Sequence, residues 1–592
     1  MTPVVETAAA HLWLLLGPAP RRRWRLRGRF PEHALADTPY PPLVRHLLWH
    51  RGLRSAAEAD AFVAGNLPDG EPDPLLLPDG GPAIERLRRA VRESETVAVY
   101  GDFDVDGVTA SAILIESLTE MGARVVPYIP DRFNEGYGLN VAAIDTLRGH
   151  GVTLLVTADC GTSSVAEIEH AERAGMDVIV IDHHNVGSTP PPAVAFVNPK
   201  RPDNRYPDPE LASGGLAFRL MAGLYDALGR EWYPERFLDL AALSTVCDVA
   251  PLRGENRWLV KEGLRALARA RRPGLRALME SAGVDPLRVD AGTIGYVLGP
   301  RLNAAGRMAH ARLALDLLLE PDPSRAAEIA QRLSDLNQER QQATAAAMDL
   351  ARQLLADEDP STPLIFVGHV QIPAGIVGLV AGRLAEEYYR PAVVYARGEA
   401  ASRASCRSIP EFDITAALRI RPDLLLRFGG HRAAAGFTAE NDKLPALKEA
   451  LLTHARDVLA DVELSPVIDI DAQIPLHRVN GSLVQALARL APFGEGNPEP
   501  VFLSRGLQVA DVRLVGSEGS HLRLKLLDPD GQGQRAVWPA IAFRRGGDDV
   551  AVGDRLDVVY SFGADNLVGG LELRVIDFAR PGDQTRAQGS EG

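Results

Sequence analysis

The feature that most constrains this chain is an alternation of helices with short apolar strands, three of which run into an acidic residue. Between residues 83 and 182 the pattern predicts four such strands, separated by helices. Short apolar strands that alternate with helices form parallel sheets, because each connection crosses over through a helix. The sequence therefore predicts an α/β fold whose ligands bind at the carboxyl ends of the strands.

The length of 592 residues suggests about three to five domains. The fold class predicted is α/β, with a larger parallel-sheet domain and a smaller α/β domain joined by a long helix, and with a C-terminal β-barrel of OB type. The proposed divisions are an irregular and helical N-terminal segment, 1–82; the parallel-sheet domain, 83–280; a helical connector that contains the long linking helix, 281–358; the smaller α/β domain, 359–462; the barrel, 463–580; and a disordered polar tail, 581–592.

Composition limits the class of partner and the compartment. The formal net charge is −14, which by itself argues against nucleic acid, although a binding footprint is local and two arginine runs lie at 21–29 and 265–276. For each run alone, a solvated surface segment is the simpler interpretation. Three scattered cysteines give no disulfide framework, and no apolar run reaches the length of a membrane span. We therefore expect a cytoplasmic protein without membrane association.

Acidic and imidazole side chains are predicted to follow four strands. Three acids alternate after the first strand, where an extended backbone would point them to one side. The candidates are Asp102, Asp104 and Asp106 after the first strand, Asp159 after the second, Asp182, His183 and His184 after the third, and Asp248 after a fourth strand that ends at Cys247. Each acid alone is more simply a helix cap, but caps do not explain the whole set.

Carboxylates gathered at neighbouring strand ends would repel one another and raise their pKa values. Two divalent cations would remove this conflict, and the mixture of carboxylates with imidazole favours Mn²⁺, with Mg²⁺ as the alternative. A pair of such ions is a common device for phosphoryl displacement. A calcium loop at the first motif is disfavoured because no Glu follows at the required distance. Ser163 and Ser164 lack an activating His and Asp, which argues against a serine nucleophile.

The segments Asp102-Phe-Asp-Val-Asp-Gly, Asp159-Cys-Gly, Asp182-His-His and Thr-Val-Cys-Asp248 resemble the four motifs of the DHH phosphoesterase superfamily. The resemblance implies that Asp159 bridges the two ions and that His184 lies close to the scissile phosphate. It also implies that Asp182 orients the imidazoles. The metal ligands that it implies are Asp102, Asp104, Asp106, Asp159, His183 and Asp248, and the catalytic residues are Asp159, His183 and His184.

Further segments resemble the RecJ-like exonucleases of this superfamily. In Arg301-Leu-Asn-Ala-Ala-Gly-Arg307, two arginines flank a predicted small-residue turn, and Phe428-Gly-Gly-His431 is predicted to be a second turn, in the DHH-associated domain. The segment from Leu490 to Pro500 resembles the entry into the OB domain. The substrate-binding residues implied are His184, Arg301, Asn303, Arg307, Ser405, Arg407, Gly429, Gly430 and His431, of which Arg301, Ser405 and Arg407 would form a pocket for a 5′ phosphate.

Some residues depart from the family pattern or have two interpretations. Glu411 and Asp413 would weaken a phosphate pocket if they pointed into it, and oxidation of Cys406 would disturb Arg407. Phe543 is predicted to belong to the barrel core rather than to stack on a base. The candidate strand contacts of the barrel are Arg513, Arg523, Lys525, Phe543, Arg544 and Arg545.

These features together predict a metal-dependent exonuclease that hydrolyses single-stranded DNA from 5′ to 3′ into nucleoside monophosphates, in recombination and repair. A DHH-type exoribonuclease or oligonucleotide phosphodiesterase is the alternative enzyme, and a non-catalytic replication scaffold is the alternative from another class. The scaffold is disfavoured because every motif acid is present. Single-stranded DNA is the expected partner of a monomeric enzyme, and a single-strand binding protein and a helicase are further candidates.

Overall fold

The structure is a computed structural model, and it describes residues 22–67, 70–359, 361–516, 519–529, 537–564, 570–583 and 587–589. The chain forms two compact units. One unit comprises residues 64–346 and 492–498, and the other comprises residues up to 63, residues 347–491 and residues from 499 onward. Among the described residues, no helix has the length and apolar character that crossing a bilayer requires.

The N-terminal segment contains more regular structure than the sequence predicted. It forms β1 (Arg23–Leu26), α1 (Pro42–His50) and α2 (Ala56–Ala64). The arginine run that begins at residue 21 supplies β1, which pairs in parallel with a strand at Val467–Ile470 that carries Asp469. Arg25 forms an ion pair with Asp469 on that strand, and Arg27 pairs with Asp471 beyond it. These described arginines are therefore partnered within the fold.

The unit of residues 64–346 is built on a parallel five-stranded sheet flanked by helices. Its elements are α3 (Gly80–Arg92), β2 (Thr96–Gly101), α4 (Val105–Glu120), β3 (Arg124–Tyr128), α5 (Val141–Gly149), β4 (Leu154–Ala158), α6 (Val165–Arg173), β5 (Asp177–Ile181), β6 (Ala195–Val197), α7 (Ser213–Ala227), α8 (Leu238–Cys247), α9 (Gly254–Ala268), α10 (Pro273–Ser281), α11 (Ala291–Thr293), a π-helical turn (Ile294–Leu298), α12 (Gly299–Met308) and α13 (Arg312–Leu319). The strand order is β3-β2-β4-β5-β6. All five carboxyl ends consequently lie on one edge.

Both faces of this sheet are covered. Val97 and Val99 of β2 pack into one buried apolar cluster, whereas Ala98 and Tyr100, which point the other way, pack into a second. The predicted parallel α/β fold is confirmed. A sheet buried on both faces explains why its strands are continuous apolar runs rather than alternating ones.

The long helix predicted at the linker is α14 (Pro323–Leu355). A mixed sheet follows in the other unit, with strand order β10-β11-β9-β8-β7. Its elements are β7 (Ile365–His369), α15 (Val377–Tyr388), β8 (Ala392–Arg397), β9 (Ala401–Arg407), α16 (Ile414–Leu418), β10 (Arg427–His431), β11 (Ala434–Glu440) and α17 (Leu444–Leu459). The segment Phe428–His431 is therefore a strand, and its interpretation as a turn was wrong.

The C-terminal region is a β-barrel, as predicted. Its elements are β12 (Val467–Ile470), β13 (Ala472–Gln473), α18 (Gly481–Ala488), β14 (Phe502–Val515), β15 (His521–Leu527), β16 (Val537–Ala542), β17 (Arg555–Ala564), β18 (Leu571–Ala579) and β19 (Ala587–Gly589). The long strand β14 pairs with both β15 and β17, which closes the sheet. β19 pairs with β1, so the prediction of a disordered tail was wrong for Ala587–Gly589. The last residues, 590–592, lie outside the described part.

Candidate active site

The first acidic motif lies where β2 turns directly into α4. Asp104 caps the helix, and its Oδ1 accepts hydrogen bonds from the backbone N–H groups of Asp106 and Gly107 at 2.9 and 3.2 Å. Asp106 therefore lies in the first helical turn, so the predicted extended alternation does not hold. A Cβ at Gly107 would lie 2.6–2.8 Å from the Asp102 backbone. The strand-to-helix turn, rather than a pleat, brings the three carboxylates together.

Asp106 is buried and held at both carboxylate oxygens. Its Oδ2 accepts from the Ser213 N–H at 2.8 Å, and its Oδ1 accepts from the Gly214 N–H at 2.9 Å and the Ser244 hydroxyl at 2.5 Å. The two N–H groups open helix α7, where the helix dipole also stabilises a negative charge. These contacts fix the orientation of the carboxylate in advance of any ligand.

Asp159 follows β4 in a left-handed conformation with φ of +67°, which is uncommon for a residue other than glycine. Its Oδ1 lies 3.3 Å from His183 Nε2 and accepts from the Ser213 hydroxyl at 3.1 Å. Burial raises the pKa of Asp159 well above its usual range, and the charges of the neighbouring acids, Asp106 first, raise it further. The folded protein thus holds an ionised carboxylate here only at a cost in free energy.

Asp182 organises the two imidazoles. Its Oδ1 accepts from the backbone N–H groups of His183 and His184 and lies 2.7 Å from His184 Nδ1, while its Oδ2 accepts from the Thr162 N–H at 3.0 Å. Burial alone would raise the pKa of Asp182, but the bond and charge of His184 lower it. Burial alone would lower the pKa of His184, but Asp182 raises it to about 9. This geometry matches the orienting role implied for Asp182.

His183 Nε2 is the centre of the cluster. It is buried without a hydrogen-bond partner and lies 3.6 Å from Asp106 Oδ2, 3.3 Å from Asp159 Oδ1 and 3.6 Å from Asp248 Oδ2. Burial lowers the pKa of His183, which favours the neutral imidazole. A neutral ring nitrogen that faces three carboxylate oxygens needs a cation between them, so these residues fit a metal ion.

Asp248 closes the cluster from a helix. The preceding residues form α8, so the predicted fourth strand was wrong. Burial raises the pKa of Asp248 to about 8, with a further contribution from Asp106. On the opposite side, Asp102 Oδ1 is buried and has no hydrogen-bond partner. All six predicted ligands fall into three overlapping groups whose ligand atoms lie within 4.8 Å of one another: Asp102 with Asp104 and Asp159, Asp106 with His183 and Asp248, and Asp159 with His183 and His184.

The structure adds residues that the sequence interpretation missed. The Arg132 guanidinium lies 4.7 Å above the Phe103 ring. Burial lowers the pKa of Arg132, and the charges of Asp102 and Asp104 oppose that shift. The Tyr137 hydroxyl lies 3.4 Å from the Asp159 carbonyl oxygen and from the His184 ring nitrogens. The Lys200 charge opposes the rise that burial causes in the pKa of Asp248, and it adds to the lowering that burial causes in the pKa of His183. These three residues follow β3 and β6, whose carboxyl ends share the edge of the sheet.

Arg301, Asn303 and Arg307 lie on helix α12, so the predicted small-residue turn was wrong. The small residues serve packing instead, because a Cβ at Gly306 would lie 2.7 Å from the Phe103 carbonyl oxygen. This close approach places α12 against the first acidic motif. Arg301 donates to the Val297 carbonyl at 2.8 Å and to the Ser334 hydroxyl at 3.3 Å.

The other predicted substrate contacts lie together in the second unit. Gly429 of β10 pairs with Gly436 of β11, which pairs with Ser405 of β9. In a second row, His431 pairs with Ala434, which pairs with Arg407. The two rows are two residues apart, so their side chains share one face of the sheet. Arg407 Nη1 donates to Ser405 Oγ at 3.0 Å, and a Cβ at Gly378, in the first turn of α15, would lie 3.1 Å from that hydroxyl.

The residues that depart from the family pattern have structural partners. Glu411 accepts a hydrogen bond from the Tyr389 hydroxyl at 3.0 Å, and Asp413 caps α16 through the Ala416 N–H. Cys406 points to the buried face of β9, where burial raises its pKa to about 12. These contacts account for both carboxylates, and the thiol is inert by burial.

In the barrel, one arginine has a structural role and one aromatic is exposed. Arg545 forms ion pairs with Asp548 and Asp577. The Phe543 side chain is 56% exposed and meets His521 edge-on, so its assignment to the core was wrong. On the paired strands β14 and β15, Arg513 lies opposite Arg523.

Comparison with known proteins gives three family matches: the DHH family, N-terminal domain, over residues 96–245; the DHHA1 domain over 362–460; and the RecJ OB domain over 470–576. The chain is 34% identical to the RecJ exonuclease of Bacillus subtilis, covering 88% of this chain and 65% of that protein. It is also 34% identical to that of Escherichia coli, covering 88% and 94%.

Among solved structures, RecJ of Thermus thermophilus in complex with Mn²⁺ matches with a TM-score of 0.80 at 32% identity, covering 95% of this chain and 80% of that one. A structure of the same protein in complex with Mg²⁺ matches with a TM-score of 0.73. These identities and coverages extend across the sheet domains and the barrel alike. The chain belongs to the RecJ family of single-stranded-DNA-specific exonucleases.

Proposed function

We propose that this chain is a metal-dependent exonuclease that hydrolyses single-stranded DNA from 5′ to 3′ into nucleoside monophosphates, in recombination and repair. The observation that carries the proposal is the buried His183 Nε2, which has no hydrogen-bond partner and faces three carboxylate oxygens at 3.3–3.6 Å. A set of this kind suits divalent cations and has no evident purpose in a purely structural core. The relatives from Bacillus subtilis and Escherichia coli are single-stranded-DNA-specific exonucleases, which supports the same conclusion.

The proposed metal ligands form two sets that share Asp159. One set is Asp102, Asp104 and Asp159, and the other is Asp106, Asp159, His183 and Asp248. The mixed carboxylate and imidazole donors favour Mn²⁺, and Mg²⁺ is the alternative. Two bound ions would lower the pKa of a water molecule and polarise the scissile phosphate.

The remaining residues orient the reacting groups. Asp182 fixes both imidazoles and engages His184 Nδ1 at 2.7 Å. We propose that the other ring nitrogen, Nε2, which lies 3.4 Å from the Tyr137 hydroxyl, meets a phosphate oxygen. Arg132 and Lys200 bring positive charge to the rim of the acidic cluster, where a phosphodiester would need it. The chain's own contribution is therefore to hold ligands and substrate in a fixed geometry, which removes the entropy cost of the reaction.

The 5′ polarity rests on the sheet face of the second unit. Ser405, Arg407 and His431 share that face with the N-terminal end of α15, and together they form a suitable site for a terminal phosphate. Arg301, which the sequence suggested for the same pocket, lies on α12 in the first unit. Arg301, Asn303 and Arg307 remain proposed substrate-binding residues, on the helix that packs against the first acidic motif.

The barrel is proposed to supply affinity for the strand. OB-type barrels bind single strands by stacking bases on aromatic side chains inside a basic groove. The exposed Phe543 and the paired positions Arg513 and Arg523 suit that role, although Arg513 also forms an ion pair with Asp511 and Arg545 pairs with Asp548 and Asp577. We further propose a cytoplasmic location, since the substrate is DNA. We also propose that the enzyme is a monomer whose partners include a single-strand binding protein and a helicase.

One digestion tests the proposal. Oligonucleotides labelled at the 5′ or 3′ end, as DNA and as RNA, single-stranded or duplex, are incubated with Mn²⁺ and then with EDTA. We expect immediate release of a mononucleotide from the 5′ label of single-stranded DNA and slow loss of the 3′ label. EDTA should abolish both, and added Mn²⁺ should restore them. Equal rates on RNA would favour the ribonuclease, and no hydrolysis would favour the scaffold.

A further inference from the structure

Tyr296 is the most exposed large hydrophobic side chain in the part of the chain that the structure describes, at 87% of its surface. It lies in the π-helical turn Ile294–Leu298, and the described residues offer it no hydrogen bond or ring contact. π-helical turns are rare and occur frequently at functional sites. Folding gains nothing from an aromatic ring left in solvent, so a bound partner is the natural reason for its position.

The turn is fixed beside a proposed metal ligand. A Cβ at Gly295 would lie 3.7 Å from Val246, and a Cβ at Gly299 would lie 2.5 Å from Cys247 Sγ. Val246 and Cys247 are the last two residues of α8, which ends at Asp248. The backbone that carries Tyr296 therefore packs directly against the helix end that presents Asp248.

Val249, the residue after Asp248, is strained and exposed. It has a φ of +61° and a side chain 63% exposed. The helix end has the bonds of a Schellman motif, from the Val249 N–H to Val246 and from the Ala250 N–H to Thr245, and glycine is the usual residue at that position. A β-branched residue in this conformation costs free energy, so its side chain points to a use other than folding.

We propose that Tyr296, together with the exposed Val249 just beyond the end of α8, forms a platform on which a nucleobase next to the scissile phosphodiester stacks. The inference rests on the proposed function and adds to it a contact with the base. Every base has a π-face, so a stacking contact accepts any sequence. That tolerance suits an enzyme that must advance one nucleotide at a time along DNA. Tyr296 is thus a positioning residue, which aligns the strand without touching the reacting atoms.

The test asks whether the effect of removing the Tyr296 side chain depends on the presence of a base in the DNA. Wild type, Tyr296→Ala and Tyr296→Phe are compared on single-stranded oligonucleotides that are intact or carry one abasic nucleotide at each of the leading positions. On intact DNA we expect Tyr296→Ala to lower kcat/KM by about tenfold, at the lower end of base–aromatic stacking, and Tyr296→Phe to stay near wild type. At one abasic position, wild type and Tyr296→Ala should become nearly equal. Leu287→Ala, an exposed apolar residue outside the turn, is the matched control.

The outcomes separate this inference from the proposed function. A loss in Tyr296→Ala that is the same on intact and abasic DNA at every position would overturn the platform and indicate a backbone or protein contact. No loss at all would also overturn it, although the wild-type nuclease activity would stand. For Val249→Gly we expect a higher midpoint of thermal unfolding, because the strain is relieved, together with a lower kcat/KM on intact DNA. An unchanged kcat/KM would remove Val249 from the platform.

Discussion

At the scale of single residues, the acidic cluster lowers the stability of the metal-free fold. Asp102 and Asp159 are buried among other carboxylates, and both pKa values are raised well above the usual range, first by burial and then by neighbouring acids. A raised pKa in the folded state means that the folded chain binds the proton more tightly than the unfolded chain. The metal-free stability is therefore greatest below about pH 4 for these groups and falls as the pH rises toward the folded values.

Asp159→Asn tests this conflict directly. In EDTA at neutral pH we expect the variant to unfold at a higher temperature than wild type, because one buried charge is gone while its polar shape remains. Mn²⁺ should raise the unfolding temperature of wild type and raise that of the variant much less. Turnover should fall more than about 10³-fold, beyond the 10- to 100-fold typical of a residue that only orients a ligand. Scanning calorimetry and the digestion assay provide both readouts.

The exposed Asp226 on α7 gives the matched control for Asp159→Asn. Asp226→Asn removes the same charge and should change neither the unfolding temperature in EDTA nor the response to Mn²⁺. If Asp159→Asn behaved like this control, Asp159 would not be a bridging ligand.

Asp182→Asn tests whether Asp182 orients the two imidazoles rather than binding a metal ion itself. The amide cannot accept hydrogen bonds at both ends, so the contacts with His184 and the Thr162 N–H cannot both survive. We expect the Mn²⁺ concentration for half-maximal activity to rise about 10- to 100-fold, with activity partly recovered at saturating metal. Asp145→Asn breaks a similar contact, 2.8 Å to His170, on the surface and should leave that concentration unchanged. Loss of activity that no metal concentration recovers would contradict an orienting role.

The position of each site residue relative to an apolar run explains whether the sequence could locate it. The motif acids and His183 stand at the ends of recognisable apolar strands or after an apolar run, so the sequence located all six proposed ligands. Arg132, Tyr137 and Lys200 lie in loops that carry no periodicity of their own. The rule that loops after parallel strands share one edge could have indicated them, because β3 and β6 end there too.

At the scale of elements, the turn from β2 into α4 sets the geometry of the first three acids. Gly107→Ala should disrupt it, because the new Cβ would lie 2.6–2.8 Å from the backbone of Asp102 and backbone cannot move aside cheaply. Overpacking of this kind costs about 1–3 kcal/mol of unfolding free energy. We also expect weaker Mn²⁺ binding, since the Asp102 backbone must shift. Denaturant unfolding with and without Mn²⁺ measures both effects.

Gly149→Ala is the control for Gly107→Ala. Gly149 ends α5, and a Cβ there meets nothing within 4 Å. Alanine has the higher helix propensity, so this variant should be as stable as wild type or slightly more stable. Equal stability of the two glycine variants would show that the turn tolerates a Cβ.

Two helices, α8 and α12, were predicted wrongly because their sequences lack the usual helical pattern. Residues 238–245 of α8 are all buried, so the helix shows no apolar stripe and its last residues, before Asp248, resembled a strand. In α12, Gly306 and the alanines before it signalled a turn by composition, yet Gly306 serves close helix packing. Amphipathic strands keep a readable period, and the strand that the sequence predicts at His521–Leu527 coincides with β15.

At the scale of the whole molecule, the two ends of the chain meet in one small sheet, with strand order β12-β1-β19. No local pattern could predict this pairing, since β1 and β12 are separated by more than 400 residues. The N-terminal segment that the sequence set apart as 1–82 thus contributes β1 to this small sheet, and Trp24 of β1 packs with Leu503 and Val559 of the barrel strands. Deleting the barrel alone would leave β1 without its partner, so a point substitution is the cleaner probe.

Trp24 on β1 is that probe. It is 3% exposed, packs against Ile470, Leu503 and Val559, and donates from Nε1 to Asp577 at 2.9 Å. Trp24→Ala should cost about 3–5 kcal/mol of barrel stability, whereas Trp24→Phe should cost less because it retains an aromatic ring. If the barrel supplies strand affinity, Trp24→Ala should weaken binding of long oligonucleotides far more than it slows cleavage of very short ones. Limited proteolysis and fluorescence anisotropy measure this, and equal losses on both substrates would show that the barrel serves only the fold.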